Sequence, residues 1–153
     1  MKELLTIALF SLCFGINAQP NYNVYGTTNG LPNITPTQII SSNIYGGYDV
    51  YNTSSNGLPD LTPSRTISSN IYGGYDVYGT TNGLPNITPA AIISSNIYGG
   101  FDVFETTNGL PNISPSQTIS PNIYGGLDIY NTSNGLPDLS PFQTIKAPVF
   151  DRF

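Results

Sequence analysis

The chain has no histidine and a single cysteine among its 153 residues, and only 8% of them are Asp, Glu, Lys or Arg. Histidine is the commonest proton shuttle and, together with cysteine, the usual zinc ligand. Zinc enzymes and Ser-His-Asp hydrolases are therefore excluded, and so are cysteine nucleophiles, because Cys13 lies in a segment that we expect to be removed. Four Lys and Arg against nine Asp and Glu also argue against nucleic-acid binding, which needs clustered cations.

The first 18 residues have the pattern of an export signal. Lys2 precedes an apolar run over residues 4–14, and the small Ala18 stands just before Gln19. The run is too short for the roughly 20 residues of a membrane-spanning helix, but it suits a signal peptide. We therefore predict a removed signal peptide over 1–18, a secreted or cell-surface location and no membrane span. The rest of the chain has no cysteine and cannot rely on disulfides.

Everything after this segment is one unit repeated five times. Gly-Leu-Pro recurs at residues 30, 57, 83, 109 and 135, and Asn-Ile-Tyr-Gly-Gly begins at 43, 70, 96 and 122. Self-similarity at a fixed period is the signature of a repeat architecture. The sequence thus predicts five tandem repeats of about 26 residues over 19–145, followed by a C-terminal cap or tail over 146–153.

Each repeat has the pattern of short strands. Tyr75-Asp76-Val77-Tyr78 alternates an apolar face with a mixed one, and a second strand is expected near Ile67 and its equivalents. Asn-Gly and Gly-Gly are chain-reversal signals, and the two prolines of each repeat oppose helices. These features predict an all-β protein.

A single repeat cannot bury its own apolar side chains, so we expect neighbouring repeats to cover them. The main prediction is a β-solenoid of five 26-residue units, in which equivalent residues lie directly above one another at about 4.8 Å. The alternative is a set of stacked β-hairpins or a small barrel. In either case we expect burial of the apolar residues of the second repeat and the strand that follows it: Leu58, Leu61, Ile67, Ile71, Tyr75 and Val77.

Repetition turns each position into a column, and two columns are candidate ligand contacts. Exposed aromatic rings beside carboxylates are suited to stacking on sugar rings and bonding their hydroxyls. Gly-Gly-Tyr-Asp resembles the calcium-binding nonapeptide of RTX β-rolls. It differs from that motif because it recurs every 26 residues and supplies one carboxylate per copy. Ca²⁺ is the only ion that this resemblance implies. We predict no cofactor, no metal ligand and no catalytic residue. The candidate contacts are Tyr25, Tyr51, Tyr78, Phe104 and Tyr130 in one column, and Asp49, Asp76, Asp102 and Asp128 in the other.

The same repetition argues against an enzyme. Acid–base catalysis needs two groups in unequal environments, whereas repeats offer one environment several times. The sequence therefore predicts a secreted, non-enzymatic repeat protein that acts as an extracellular scaffold or adhesin, with itself, a surface or a glycan as partner. The alternative is a lectin-like module that binds carbohydrate through its tyrosine columns.

Overall fold

The computed structural model describes residues 21–146, and in that part the chain forms strands and no helix. The prediction of an all-β protein is confirmed. The expected signal peptide over 1–18 lies outside the described residues, as does the expected cap over 146–153 apart from Lys146. In chain order the strands are β1 (Tyr22–Thr28), β2 (Leu31–Pro32), β3 (Gln38–Ser42), β4 (Tyr48–Asn52), β5 (Arg65–Ser69), β6 (Tyr75–Thr81), β7 (Leu84–Pro85), β8 (Ala91–Ser95), β9 (Phe101–Thr107), β10 (Leu110–Pro111), β11 (Gln117–Pro121), β12 (Leu127–Ser133), β13 (Leu136–Pro137) and β14 (Gln143–Lys146).

Ten of these strands form a closed antiparallel barrel, two from each repeat. Each wall strand pairs with the next along the chain, and β1 pairs with β14, which joins the first repeat to the last. Closure leaves no free edge among the ten wall strands. The two-residue strands β2, β7, β10 and β13 fold back on β1, β6, β9 and β12 as short ribbons beyond the wall.

The barrel confirms the alternative prediction, and the β-solenoid prediction is wrong. A solenoid needs parallel strands in register, but the chain reverses twice in each repeat and every pairing in the wall is antiparallel. Equivalent residues of successive repeats are therefore separated by an intervening strand. They lie about 10 Å apart around a ring, twice the spacing of neighbouring strands, and not directly above one another.

Most of the core consists of one Val or Ile from each wall strand, and Ala91 on β8 and Leu127 on β12 are buried beside them. Ile40 lies opposite Val50, and Ile67 opposite Val77, on neighbouring strands. Burying such a side chain stabilises the fold by about 1.5–3 kcal/mol. The ten residues, all buried, are Val24, Ile40, Val50, Ile67, Val77, Ile93, Val103, Ile119, Ile129 and Ile145.

The two ends of the barrel differ. Four Asn-Ile-Tyr-Gly-Gly turns, at 43–47, 70–74, 96–100 and 122–126, form what we call the turn end. Here the aromatic residues Tyr22, Tyr48, Tyr75 and Phe101 pack against the core. The loop end carries the five longer connections, 29–37, 53–64, 82–90, 108–116 and 134–142.

Candidate functional site

Each turn at the turn end is built by its asparagine. Asn43 Oδ1 accepts hydrogen bonds from the amides of Tyr45 and Gly47, at 3.1 and 3.0 Å. The turn also needs Gly46, whose φ of +80° is disfavoured for residues with a side chain. Asparagine side chains commonly hold turns in this way. Ile44 and Tyr45 are left at the tip, where they are 87% and 89% exposed.

The carboxylates of the predicted acidic column orient these asparagines. Asp49 Oδ1 accepts hydrogen bonds from Asn43 Nδ2 and Thr66 Oγ1, both at 3.1 Å. The same pair of bonds recurs at Asp102 and Asp128, whereas Asp76 is bonded to Asn70 Nδ2 and to the Tyr78 hydroxyl. The regular six-residue spacing from Asn to Asp is the sequence signal that could have revealed this role.

The predicted aromatic column lies on the outer wall of the barrel. Tyr78 follows Asp76 by two residues on β6, so both side chains are on the face opposite the buried Val77. Partial burial raises the pKa of Tyr78, and the adjacent Asp76 carboxylate raises it further. The hydroxyl thus remains a hydrogen-bond donor over a wide pH range. The structure brings the predicted aromatic and acidic residues together as pairs on β4, β6, β9 and β12; Tyr25 on β1 is paired with Asn23.

A threonine column holds each repeat to the one before it. Thr53, Thr80, Thr106 and Thr132 donate from Oγ1 to the carbonyl oxygen of a proline in the preceding repeat. Thr27 makes the same bond to Pro141, at the junction between the first and last repeats. The ring is therefore closed by the same contact at all five junctions.

The loop end exposes a ring of aliphatic side chains that the sequence pattern did not predict. One residue in each of the five loops is fully accessible, and a leucine near the start of each loop is also exposed. We expected burial of Leu58, Leu61 and Ile71, and all three are exposed; Ile67 and Val77 are buried as expected. We call the following five residues the loop ring: Ile34, Leu61, Ile87, Ile113 and Leu139, which are 98–103% exposed.

No protein family, curated protein or solved structure matches this chain. Over residues 21–146, no group of three or more His, Cys, Asp or Glu side chains is placed to hold a metal ion. The four aspartates of the acidic column are separated from one another by an intervening strand, and each is bonded to the asparagine of its own turn. The part of the chain that the structure describes contains no helix that could cross a membrane.

Proposed function

We propose that the protein is an exported, non-enzymatic scaffold or adhesin that binds through the loop ring. The observation that carries this proposal is the complete exposure of five equivalent aliphatic side chains at one end of the barrel. Apolar side chains that project from the same end of a molecule offer a partner several contacts at once. Each of these side chains contributes at most about 1.5–3 kcal/mol when it is fully buried.

The barrel makes these weak contacts act together. The five loops are attached to one closed wall, so binding of the first brings the others close to the same surface and raises their effective concentration. An apolar extracellular surface or a second copy of the chain is the kind of partner that such a ring fits. Self-association through free strand edges is not supported, because the ten wall strands have none.

The chemistry of the wall also supports a non-enzymatic role. Asp49, Asp102 and Asp128 have the same hydrogen-bonding partners in their respective repeats. General acid–base catalysis relies on two groups whose surroundings separate their pKa values. Repeated, equivalent carboxylates do not provide such a pair.

The proposal can be tested by adsorption to defined surfaces. A loop-ring variant carries serine at all five positions, and a matched control carries Ile44→Ser, Ile71→Ser, Ile97→Ser and Ile123→Ser at the turn end. Retention on a methyl-terminated monolayer after washing is measured with a quartz-crystal microbalance, and oligomeric state by light scattering. Relative to the parent chain, we expect the loop-ring variant to lose at least about 90% of its retention or self-association, a tenfold change. The proposal would be contradicted if both variants lost the same amount, or if neither variant lost any.

A second candidate is carbohydrate binding by the outer wall. It is favoured by the placement of Tyr51 and Asp49 on one face of β4, an arrangement that recurs on β6, β9 and β12. A glycan array probed with the parent chain and with Tyr51→Ala, Tyr78→Ala and Tyr130→Ala combined tests it. Saturable binding that this triple variant loses, and the loop-ring variant keeps, would favour the lectin-like function.

A further inference from the structure

The junction between the first and last repeats contains a groove of about 570 Å³ on the outer wall. Leu31 and Pro32 of the β2 ribbon line it on one side, and Tyr124 lines it from the turn end. Asp128, Thr144 and Lys146 lie between them on β12 and β14. The volume is within the range of about 300–1,000 Å³ that is usual for small-molecule sites. We call this groove the junction groove.

Two departures from the repeat pattern meet beside this groove. Lys146 ends β14 at the position that is serine in the other four repeats, and it faces Asn23 on β1. In those repeats the serine faces an aspartate, as Ser68 faces Asp76. The remaining serine and aspartate pairs are Ser41 with Asp49, Ser94 with Asp102 and Ser120 with Asp128.

The consequence of these departures is a cation without a facing carboxylate. Among the described residues no carboxylate forms an ion pair with Lys146, and its ammonium lies over the Tyr25 ring, 4.8 Å from the centroid. Arg65, the other cation of residues 21–146, is on the inward face of β5 with Ile67. Within residues 21–146, Lys146 is therefore the cation of the outer wall.

On the acidic side of the groove, one carboxylate oxygen of Asp128 is available as a hydrogen-bond acceptor. Asp128 Oδ1 accepts hydrogen bonds from Asn122 Nδ2 at 3.0 Å and from Thr144 Oγ1 at 2.8 Å. Its Oδ2 accepts none from the described residues. A simple anion near Lys146 would be repelled by this carboxylate, so a suitable ligand must also bring hydrogen-bond donors.

We infer that the junction groove binds an acidic saccharide through a uronic acid unit. The sugar carboxylate pairs with Lys146, ring hydroxyls donate to Asp128 Oδ2, and the C–H face of the ring packs against Tyr124. Leu31 and Pro32 provide the apolar side of the groove. The site uses no residue of the loop ring, and it stands whether or not that ring binds a surface.

The first experiment compares trigalacturonate with two probes that each lack one feature. Isothermal titration calorimetry of the full chain is expected to show one equivalent of trigalacturonate bound, more weakly as salt is added. Neutral galactotriose and acetate should bind at least tenfold more weakly. No binding of trigalacturonate at millimolar concentration, or equal binding of either probe, would overturn the inference.

Variants at the junction test the role of Lys146 in binding. Lys146→Ser restores the residue of the other repeats, and Asn23→Asp supplies the missing carboxylate opposite Lys146. Each should weaken trigalacturonate binding at least tenfold, which corresponds to about 1.4 kcal/mol. Unchanged affinity in both variants, with an unchanged urea midpoint, would refute the proposed ion pair.

A gain of binding elsewhere in the barrel is the most demanding test. The wall beside β5 has the same surroundings as the junction groove: Asp49, Thr66, the 43–47 turn and the β7 ribbon. Ser68→Lys combined with Asp76→Asn should add a second equivalent of trigalacturonate. Ser68→Lys alone should not, because Asp76 faces the new lysine. A folded double variant that still binds one equivalent, or a single variant that binds two, would contradict the inference.

Discussion

The two glycines of a turn should respond very differently to the same substitution. Gly74 is buried, and a β-carbon there would overlap the carbonyl oxygen of Ile93 on β8. Pairing of Tyr75 with Ile93 fixes that backbone atom, so no side-chain rotation can relieve the overlap. Gly73 has a φ of +80° but nothing within 4 Å of a β-carbon. Gly73→Ala therefore meets backbone strain alone.

These two causes determine how much free energy of unfolding each variant should lose. Gly73→Ala should lower it by about 1–2 kcal/mol, the penalty of a left-handed conformation for a residue with a β-carbon. Gly74→Ala should cost about 3 kcal/mol, the upper end of the cost of overpacking, because β6 and β8 must separate. With a urea m-value of about 1–3 kcal/mol per M, Gly74→Ala lowers the unfolding midpoint by roughly 1 M or more.

Urea unfolding followed by tyrosine fluorescence and by circular dichroism measures both variants. Gly73→Ala is the matched control, since it adds the same methyl group to the same turn. A larger midpoint shift for Gly73→Ala than for Gly74→Ala would refute the assigned close approach of strands. Gly100→Ala offers an independent check, because its β-carbon would overlap the Ile119 carbonyl oxygen in the same way.

Three further outcomes are expected. Thr80→Val removes the hydroxyl that bonds to the preceding repeat and should lower the free energy of unfolding by about 1 kcal/mol. Thr81→Val, at the exposed end of β6, removes only a bond to Asn86 of the same repeat and should have less effect; urea titration compares the two variants. Ile67→Ala should cost about 2–5 kcal/mol, while Ile71→Ala, at an exposed tip, should stay within about 0.5 kcal/mol; similar losses in both would contradict the assigned core. Burial, and then Tyr48, raises the pKa of Tyr75 above its usual 10.0. The stability that Tyr75 contributes is therefore complete at a pH below the ordinary tyrosine pKa, and it is lost as the pH rises through the higher pKa of the folded state. The unfolding midpoint of a Tyr75→Phe variant should therefore fall less than that of the parent when the pH is raised, and an equal fall would exclude this contribution.

Local patterns predicted much of the barrel correctly. The alternation around Val77 placed Tyr75 and Val77 on one face and Asp76 and Tyr78 on the other, as the structure shows. The second strand near Ile67 and the reversal at Gly-Gly are likewise confirmed. These features depend on a few neighbouring residues, and sequence reports them directly.

The arrangement of the repeats could not be read in the same way. A Gly-Gly reversal is compatible with a hairpin or with the corner of a coil, and the choice depends on Asn70, which donates to Asp76, and on the close approach of Gly74 to Ile93. Burial of Leu61 was mispredicted because its apolar character does not reveal that its loop projects beyond the wall. Lys146 stands where the other repeats have serine, but its significance depends on Asn23, which is far away in the chain and faces it across β1 and β14.

The identical bond at all five junctions means that this array has no terminal unit to extend. An open stack can gain or lose a member at one end with little effect on the others. Here, loss of one 26-residue unit would remove two strands from the wall, and the remaining eight would have to close into a narrower barrel. The core isoleucines, which fill the interior of the ten-stranded barrel, would then overlap. A gene with four or six copies of the unit should thus encode a barrel whose core is packed differently, and not a shorter or longer version of this one.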